Sequence, residues 1–180
     1  MASTHVYIHN SRFKLTISET RIQEVIATVA SQMNADLKGE NPLFLSVLNG
    51  AFLFTADLVK NFDGECEISF VKMASYSGTQ SGELKSLIGL NEDITGRTVV
   101  VIEDIIDSGA TVGALLKELK GKNPKSVKVA TLIFKPEAFK NDYKIDYVGL
   151  KIPNDFIVGY GMDYDGLGRN LRDIYVIDPE

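Results

Sequence analysis

Apolar positions along this chain fall into two patterns. Ile22, Val25, Ile26, Val29 and Met33 recur at helical spacing and mark one face of a helix. Ser18 or Thr20 stands where a cap would open that helix, and Gly39 where a left-handed residue would close it. After Pro42, Leu43 to Leu48 is a short apolar run of the kind found in a buried parallel strand. Asn49-Gly50 breaks it, and Ala51 to Asn61 reads as a second helix. Over 65–75, Cys66, Ile68 and Phe70 alternate with Glu67 and Ser69, a strand signature. Val99 to Ile102 opens a central strand, and Val112, Leu115, Leu116 and Leu119 then resume helical spacing until Gly121-Lys122-Asn123-Pro124 stops it. Further strands are expected over 127–134, 147–150 and 156–160, with Tyr175-Val176-Ile177 as an edge strand and a weak strand around Val6-Tyr7-Ile8. Strands alternating with helices predict an α/β fold, a mostly parallel twisted sheet flanked by helices.

One segment fits neither pattern. Tyr76 to Lys85 reads YSGTQSGELK, rich in Gly, Ser and Thr, and long polar insertions of this kind in a compact chain tend to be functional lids or disordered. The central strand carries the other departure. It ends in two adjacent acids, Glu103 and Asp104, followed by Ile105-Ile106 and then Asp107-Ser108-Gly109-Ala110-Thr111 at the start of the next helix. A small polar loop entering a helix brings backbone N–H groups and hydroxyls to a phosphate. The acids beside it suit sugar hydroxyls or a magnesium ion. Ligands of parallel sheets bind at the carboxyl ends of the strands, and Glu103, Asp104 and Asp107 are expected at such an end.

Composition narrows the picture. At 180 residues, with 44% hydrophobic and 24% charged, the chain is expected to fold as a single domain over 1–180 with a core of its own. A net charge of −5 argues against a general attraction to nucleic acid or anionic membrane, so an anionic substrate has to be held by local groups. One cysteine, Cys66, rules out an internal disulfide framework and agrees with a reducing compartment. No stretch has the length of a membrane span, and no charged-then-apolar leader opens the chain, so a cytoplasmic location is expected. No His/Cys cluster suggests zinc.

The stretch IEDIIDSGATV, residues 102–112, resembles the 5-phosphoribosyl-1-pyrophosphate (PRPP) binding motif of the type I phosphoribosyltransferases. Leu48-Asn49-Gly50-Ala51, Ser75-Tyr76, Lys135, and the run from Phe156 to Asp163 with Arg169 fall in the order and spacing of the hypoxanthine-guanine phosphoribosyltransferase family. The resemblance runs from about Pro42 to Asp173, and the first forty residues add little to it. It implies a Mg²⁺-dependent enzyme of purine salvage that joins a 6-oxopurine, hypoxanthine or guanine, to PRPP and releases pyrophosphate. Ser108, Gly109, Ala110 and Thr111 would wrap the 5′-phosphate, and Glu103 and Asp104 would hold the ribose hydroxyls directly or through magnesium. Asp107 is similar to the family's proposed general base, which takes the proton a purine loses on joining ribose. Lys135 would donate to the 6-oxo group, Phe156 would stack on the purine, and Ile157 would meet it through its backbone. Asp163 would reach a second magnesium through water with its backbone near the purine, and Arg169 would steady pyrophosphate.

Leu48, Asn49 and Gly50 would form the pyrophosphate loop, and the resemblance implies a cis peptide between Leu48 and Asn49. Asn49 departs from relatives with lysine there, which throws more of the pyrophosphate onto backbone donors, magnesium and Arg169. Ala110 departs from relatives with a basic residue. Residues about 75–86, with Ser75 and Tyr76, would form a lid that excludes water, and a small hood would be built from the N-terminal segment and residues about 136–180. A homodimer or homotetramer is implied. Three rivals stand beside this reading. One is a xanthine- or guanine-preferring transferase of the same fold. The second is a PRPP-sensing regulator, against which 19 Lys and Arg facing 24 Asp and Glu argue. The third is a doubly wound phosphatase or receiver domain, which lacks the Asp-Ser-Gly-x-Thr loop.

Overall fold

The computed structural model describes residues 4–75 and 84–178. They form two sheets. The larger has six strands in the order β5-β4-β3-β6-β7-β8, the smaller four in the order β1-β2-β10-β9. In the larger sheet, β3 (Leu43–Leu48), β4 (Glu67–Ser75), β6 (Thr98–Ile106), β7 (Ser126–Phe134) and β8 (Tyr147–Lys151) pair in parallel, and β5 (Leu84–Ile88) returns antiparallel on β4. The mostly parallel sheet is therefore as expected.

Its two faces are covered unequally. The predicted face of α1 (Glu19–Asp36) is buried in full, and α2 (Phe52–Lys60) joins it on one side. On the other side α3 (Ala110–Lys120) packs Val112, Leu115 and Leu119 on Val99, Val101 and Val129. Ser18 caps α1, its side chain accepting from Arg21 N–H, and Gly39 takes a left-handed φ of 78° just beyond the helix. β3 is buried nearly throughout because it lies between β4 and β6 under both layers. Its one polar side chain, Ser46, shares a 2.7 Å hydrogen bond with Thr55 of α2, which satisfies both buried hydroxyls.

Two expectations change. The N-terminal segment is not a lone weak strand: β1 (His5–Ile8) is followed by β2 (Ser11–Ile17), whose Phe13 is fully buried. The strand at the end, β10 (Ile174–Ile177), is not at an edge; it lies between β2 and β9 (Ile157–Val158) in the antiparallel sheet. Ile68 and Phe70 alternate as expected, but both point outward and are 45% and 42% exposed, because α2 does not reach that end of the sheet. The second sheet takes only β9 and β10 from the C-terminal region, since β8 completes the larger one. Within the polar segment, residues 76–83, Tyr76 among them, lie outside the described residues, and pairing is described again at Leu84 opposite Ser75.

Candidate active site

The strand ends converge where parallel topology requires. β6 runs in register with β7, pairing Glu103 with Thr131 and Ile106 with Phe134, and Lys135 N–H then donates to the Ile106 carbonyl at 2.9 Å. That bond sets Lys135 beside the loop after β6. Its Nζ lies 3.2 Å from Asp107 Oδ2, with the lysine side chain 8% exposed and the aspartate side chain half exposed. The expected proton acceptor and the expected 6-oxo donor are thus partners of each other. Asp107 faces a nearly buried ammonium with the opposite charge.

Glu103 and Asp104 are each 7% exposed. Among the described residues neither has a cation within ion-pair distance. Burial pushes the Glu103 carboxyl well above its ordinary range, and the charge of Asp104 adds to it. Burial also raises Asp104, opposed by hydrogen bonds and by the charge of Arg169. Two buried carboxylates that resist ionisation together lack a positive partner. No cluster of three or more potential metal ligands exists among the described residues. The donor set is therefore two hard oxygen groups and nothing more, which suits magnesium, a cation that keeps waters and substrate oxygens as most of its ligands.

At the loop itself, Gly109 adopts φ 80° as the cap of α3. The first helical bond runs from Gly113 N–H to the Gly109 carbonyl at 2.9 Å, so the N–H groups of Ala110, Thr111 and Val112 precede the helix ladder. Ala110 N–H has only a long 3.4 Å bond to Ser108 Oγ. Glu103 and residues 105–112 line a cavity of about 90 Å³ here, of the size a phosphate group needs. A larger cavity of about 500 Å³, between α3, β7 and Lys144, lies away from the acids.

The loop at 48–50, after β3, packs against the acids. The Leu48–Asn49 peptide is cis, as the resemblance implied. Gly50 lies directly under Asp104: a Cβ there would overlap the carboxylate. Gly161, at φ 97°, lies in turn on the Gly50 carbonyl, where a Cβ would also collide. Arg169 Nη1 donates to the Gly161 carbonyl at 2.8 Å, and its Nη2 pairs with Asp163 Oδ1 at 2.6 Å. The other oxygen of Asp163 accepts from Gly166 N–H. Asp163 and Arg169, expected in separate roles, are joined in one ion pair.

Phe156 stands on the second sheet with 43% of its surface open. Its ring meets Phe13 at 6.1 Å and Tyr164 edge-on at 5.4 Å, which leaves a face for stacking. Ile157 is buried and its backbone pairs with Val176. Ser75 ends β4, and Tyr76 lies outside the described residues.

The sequence reading missed what holds these parts. Phe139, Asn141 and Tyr143 back the loop at 108–111, and Tyr160, at φ 47° between two positive-φ glycines, anchors the turn after β9 by donating to Asp57 Oδ2 of α2 at 2.5 Å. A non-glycine residue between two glycines was the available signal for Tyr160; nothing in the spacing marked 139–143.

Residues 18–165 match the family model described as the phosphoribosyl transferase domain. The hypoxanthine-guanine phosphoribosyltransferase of Bacillus subtilis is 40% identical over 168 residues, covering 92% of this chain and 93% of that protein. The chain belongs to the hypoxanthine-guanine phosphoribosyltransferase family. A bifunctional protein TilS/HprT of Listeria monocytogenes is 43% identical over 96% of this chain, which spans only 27% of that protein's length. Among solved structures, a hypoxanthine-guanine phosphoribosyltransferase of Bacillus anthracis superposes with a TM-score of 0.85 at 40% identity, covering 91% of this chain and 97% of that one. A hypoxanthine phosphoribosyltransferase of Staphylococcus aureus gives 0.88 at 34% identity, over 99% and 98%. The fold is thus that of this transferase family.

Proposed function

We propose that this chain is a phosphoribosyltransferase of purine salvage, transferring the 5-phosphoribosyl group of PRPP to hypoxanthine and guanine to give IMP or GMP and pyrophosphate. The observation that carries the reading is the Asp107–Lys135 pair, 3.2 Å apart at the mouth of a loop built for a phosphate. Lys135 offers only donors, which matches a 6-oxo group and opposes the 6-amino donor of adenine. Asp107, half exposed, is placed to accept the proton that the purine imidazole loses as its other nitrogen bonds to ribose, a contribution of about 10²–10⁴-fold. Phe156 would stack on the purine, with Ile157 and Asp163 beside it.

Ser108, Gly109, Ala110 and Thr111 would hold the 5′-phosphate, and Leu48, Asn49, Gly50 and Arg169 the pyrophosphate. Glu103 and Asp104 would hold Mg²⁺ and the ribose hydroxyls, with Asp163 reached through water once Arg169 turns to pyrophosphate. A bound magnesium ion would supply the positive charge that the departing pyrophosphate needs. The protein's own part is to place Asp104 over Gly50, so that ribose and pyrophosphate meet at fixed distance. Residues 75–86 would serve as the lid and the β1-β2-β10-β9 sheet as the hood of one domain. A cytoplasmic homodimer or homotetramer is expected. Exposed Ile68 and Phe70, with Ile88 in register beside Lys72, support an apolar contact between copies.

The deciding experiment is incubation with PRPP, Mg²⁺ and hypoxanthine, guanine, xanthine or adenine in turn. IMP and GMP formation, with adenine inert, is the expected result. No nucleotide from any 6-oxopurine would defeat the enzyme reading, and xanthine as the best acceptor would favour the rival specificity. Deleting residues 78–82 should raise PRPP hydrolysis relative to transfer; an unchanged ratio rejects the lid.

A further inference from the structure

Beyond Lys135 the chain between β7 and β8 folds back over the loop at 108–111, and nothing in the proposed reaction uses residues 139–143. Its contacts are nevertheless concentrated on two consecutive carbonyls. The Ser108 carbonyl accepts from Lys140 N–H at 3.2 Å and from Asn141 Nδ2 at 2.8 Å. The Gly109 carbonyl accepts from the Tyr143 hydroxyl at 3.0 Å as well as from Gly113 N–H. Phe139 lies edge-on to Phe134 at 5.4 Å and to Tyr143 at 5.2 Å, and closes over Gly109. A Cβ on Gly109 would stand 2.6 Å from the Phe139 ring and 2.7 Å from the Tyr143 oxygen. A Cβ on Gly113 would stand 2.9 Å from Asn141 Oδ1. The return segment thus fits two glycines of the loop and helix at once.

Peptide planarity gives these contacts a consequence. The Ser108 carbonyl shares a peptide plane with Gly109 N–H, and the Gly109 carbonyl with Ala110 N–H; in a trans peptide the two groups point in opposite directions. Fixing both carbonyls toward residues 139–143 therefore turns both N–H groups away from that segment, toward the cavity that residues 105–112 line. An unanchored glycine-containing loop could flip either peptide and present a carbonyl to the anion instead. Burial and the nearby Glu103 push the Tyr143 phenol above its ordinary range, so it remains a donor throughout the working pH range.

We propose that Asn141 and Tyr143, with Phe139 as their packing support, are positioning residues that pre-set the peptide planes of the phosphate loop and thereby determine affinity for the sugar 5′-phosphate. The inference rests on the transferase reading for its substrate, but ribose 5-phosphate tests it independently of turnover. That ligand carries the 5′-phosphate without base or pyrophosphate.

The test compares the wild-type chain with Tyr143→Phe, Asn141→Ala and the double variant. The readouts are calorimetric binding of ribose 5-phosphate and of magnesium pyrophosphate, initial rates varied in PRPP and hypoxanthine, and the melting temperature. Each single change should weaken ribose 5-phosphate and raise KM for PRPP by about three- to tenfold, the range of one neutral hydrogen bond, with the double variant lower still. Pyrophosphate affinity, KM for hypoxanthine and kcat should stay within about twofold, because those contacts lie on other loops. Wild-type affinity for ribose 5-phosphate in the double variant would overturn the proposal. So would an equal loss for pyrophosphate and hypoxanthine, which would mark a general structural role. A wild-type chain that binds ribose 5-phosphate but forms no nucleotide would instead count against the transferase reading alone.

Discussion

Gly50→Ala isolates the geometry of the acid pair. Gly50 does not have the positive φ that would itself exclude a side chain, so the backbone accepts alanine. In the unfolded chain alanine is the less flexible residue, an effect worth about 0.4–1 kcal/mol in favour of the variant. What the methyl meets is Asp104: it would overlap one carboxylate oxygen and the carboxyl carbon, and stand 2.8 Å from the other oxygen. Asp104 is 7% exposed and cannot swing into solvent without displacing its neighbours. Either the carboxylate moves by about 1 Å or the pyrophosphate loop does, and a displacement of that size at a reacting centre costs about 10²-fold in rate. The fold is expected to survive, since the strain falls at a loop and the entropy gain offsets part of it. Initial rates at saturating Mg²⁺, varied in PRPP and hypoxanthine, together with thermal melting, read the two effects separately. The expected result is kcat/KM for PRPP down about 100-fold with a melting temperature within a few degrees of wild type. A Gly50→Ala enzyme with wild-type kcat/KM would refute the claim that Gly50 sets the position of Asp104.

Other perturbations probe the remaining parts. Asp107→Asn should lower kcat with hypoxanthine and guanine by about 10²-fold or more while leaving PRPP binding in place; an unchanged kcat removes Asp107 as the proton acceptor. Glu103 has a folded pKa raised above its unfolded one, so its contribution to stability is full at low pH and is lost as pH rises through the folded value. Without ligand, Glu103→Gln should therefore melt higher than wild type at pH 8 by a few degrees, about 2–4 °C per kcal/mol for a chain of this size, and the gap should narrow toward pH 4. A variant that melts lower at pH 8 contradicts the strain assigned to the acid pair. Tyr160→Phe removes the donor to Asp57 and should cost about 1–3 kcal/mol in denaturant unfolding; no loss would show that the Asp57 bond does not anchor the purine-side turn.

Local signals accounted for much of this molecule. The i, i+3, i+4 face from Ile22 to Met33 lies buried under the sheet, and the apolar run at 43–48 is the strand between two neighbours. The motif at 102–112 was legible because its acids, small polar loop and helix start follow one another within a single strand–loop–helix. Signals diluted by charge were lost. β2 alternates Phe13, Leu15 and Ile17 with Arg12, Lys14 and Thr16, a strand pattern obscured by its basic outer face. The outward direction of Ile68 and Phe70 was not legible, because alternation gives a period and not a direction. Contacts across more than a hundred residues left no local trace at all, as between Gly50 and Gly161 or Tyr160 and Asp57.

Those long-range contacts explain why the site is shared between two sheets. The loop at 108–111, the acids and Lys135 lie at strand ends of the larger sheet, while Phe156 precedes β9 and the Asp163–Arg169 pair lies in the turn between β9 and β10. On the proposed reading, a purine stacked on Phe156 would have to meet a ribose held at Glu103 and Asp104 to within the tolerance of a forming bond, which calls for a rigid connection close to the reaction. The connection runs through two glycines. Gly161 rests on the Gly50 carbonyl, Gly50 rests beneath Asp104, and Arg169 fixes the Gly161 carbonyl from behind. Backbone-to-backbone contact has no rotamers to lose and brings the two loops closer than any pair of side chains would allow. Tyr160, between the two glycines, ties the same turn to α2 immediately after the pyrophosphate loop. On the proposed reading, the placement of a purine on Phe156 would depend on Gly161, and enlarging Gly161 should disturb both base and pyrophosphate kinetics together, where Phe156→Ala should disturb the base alone.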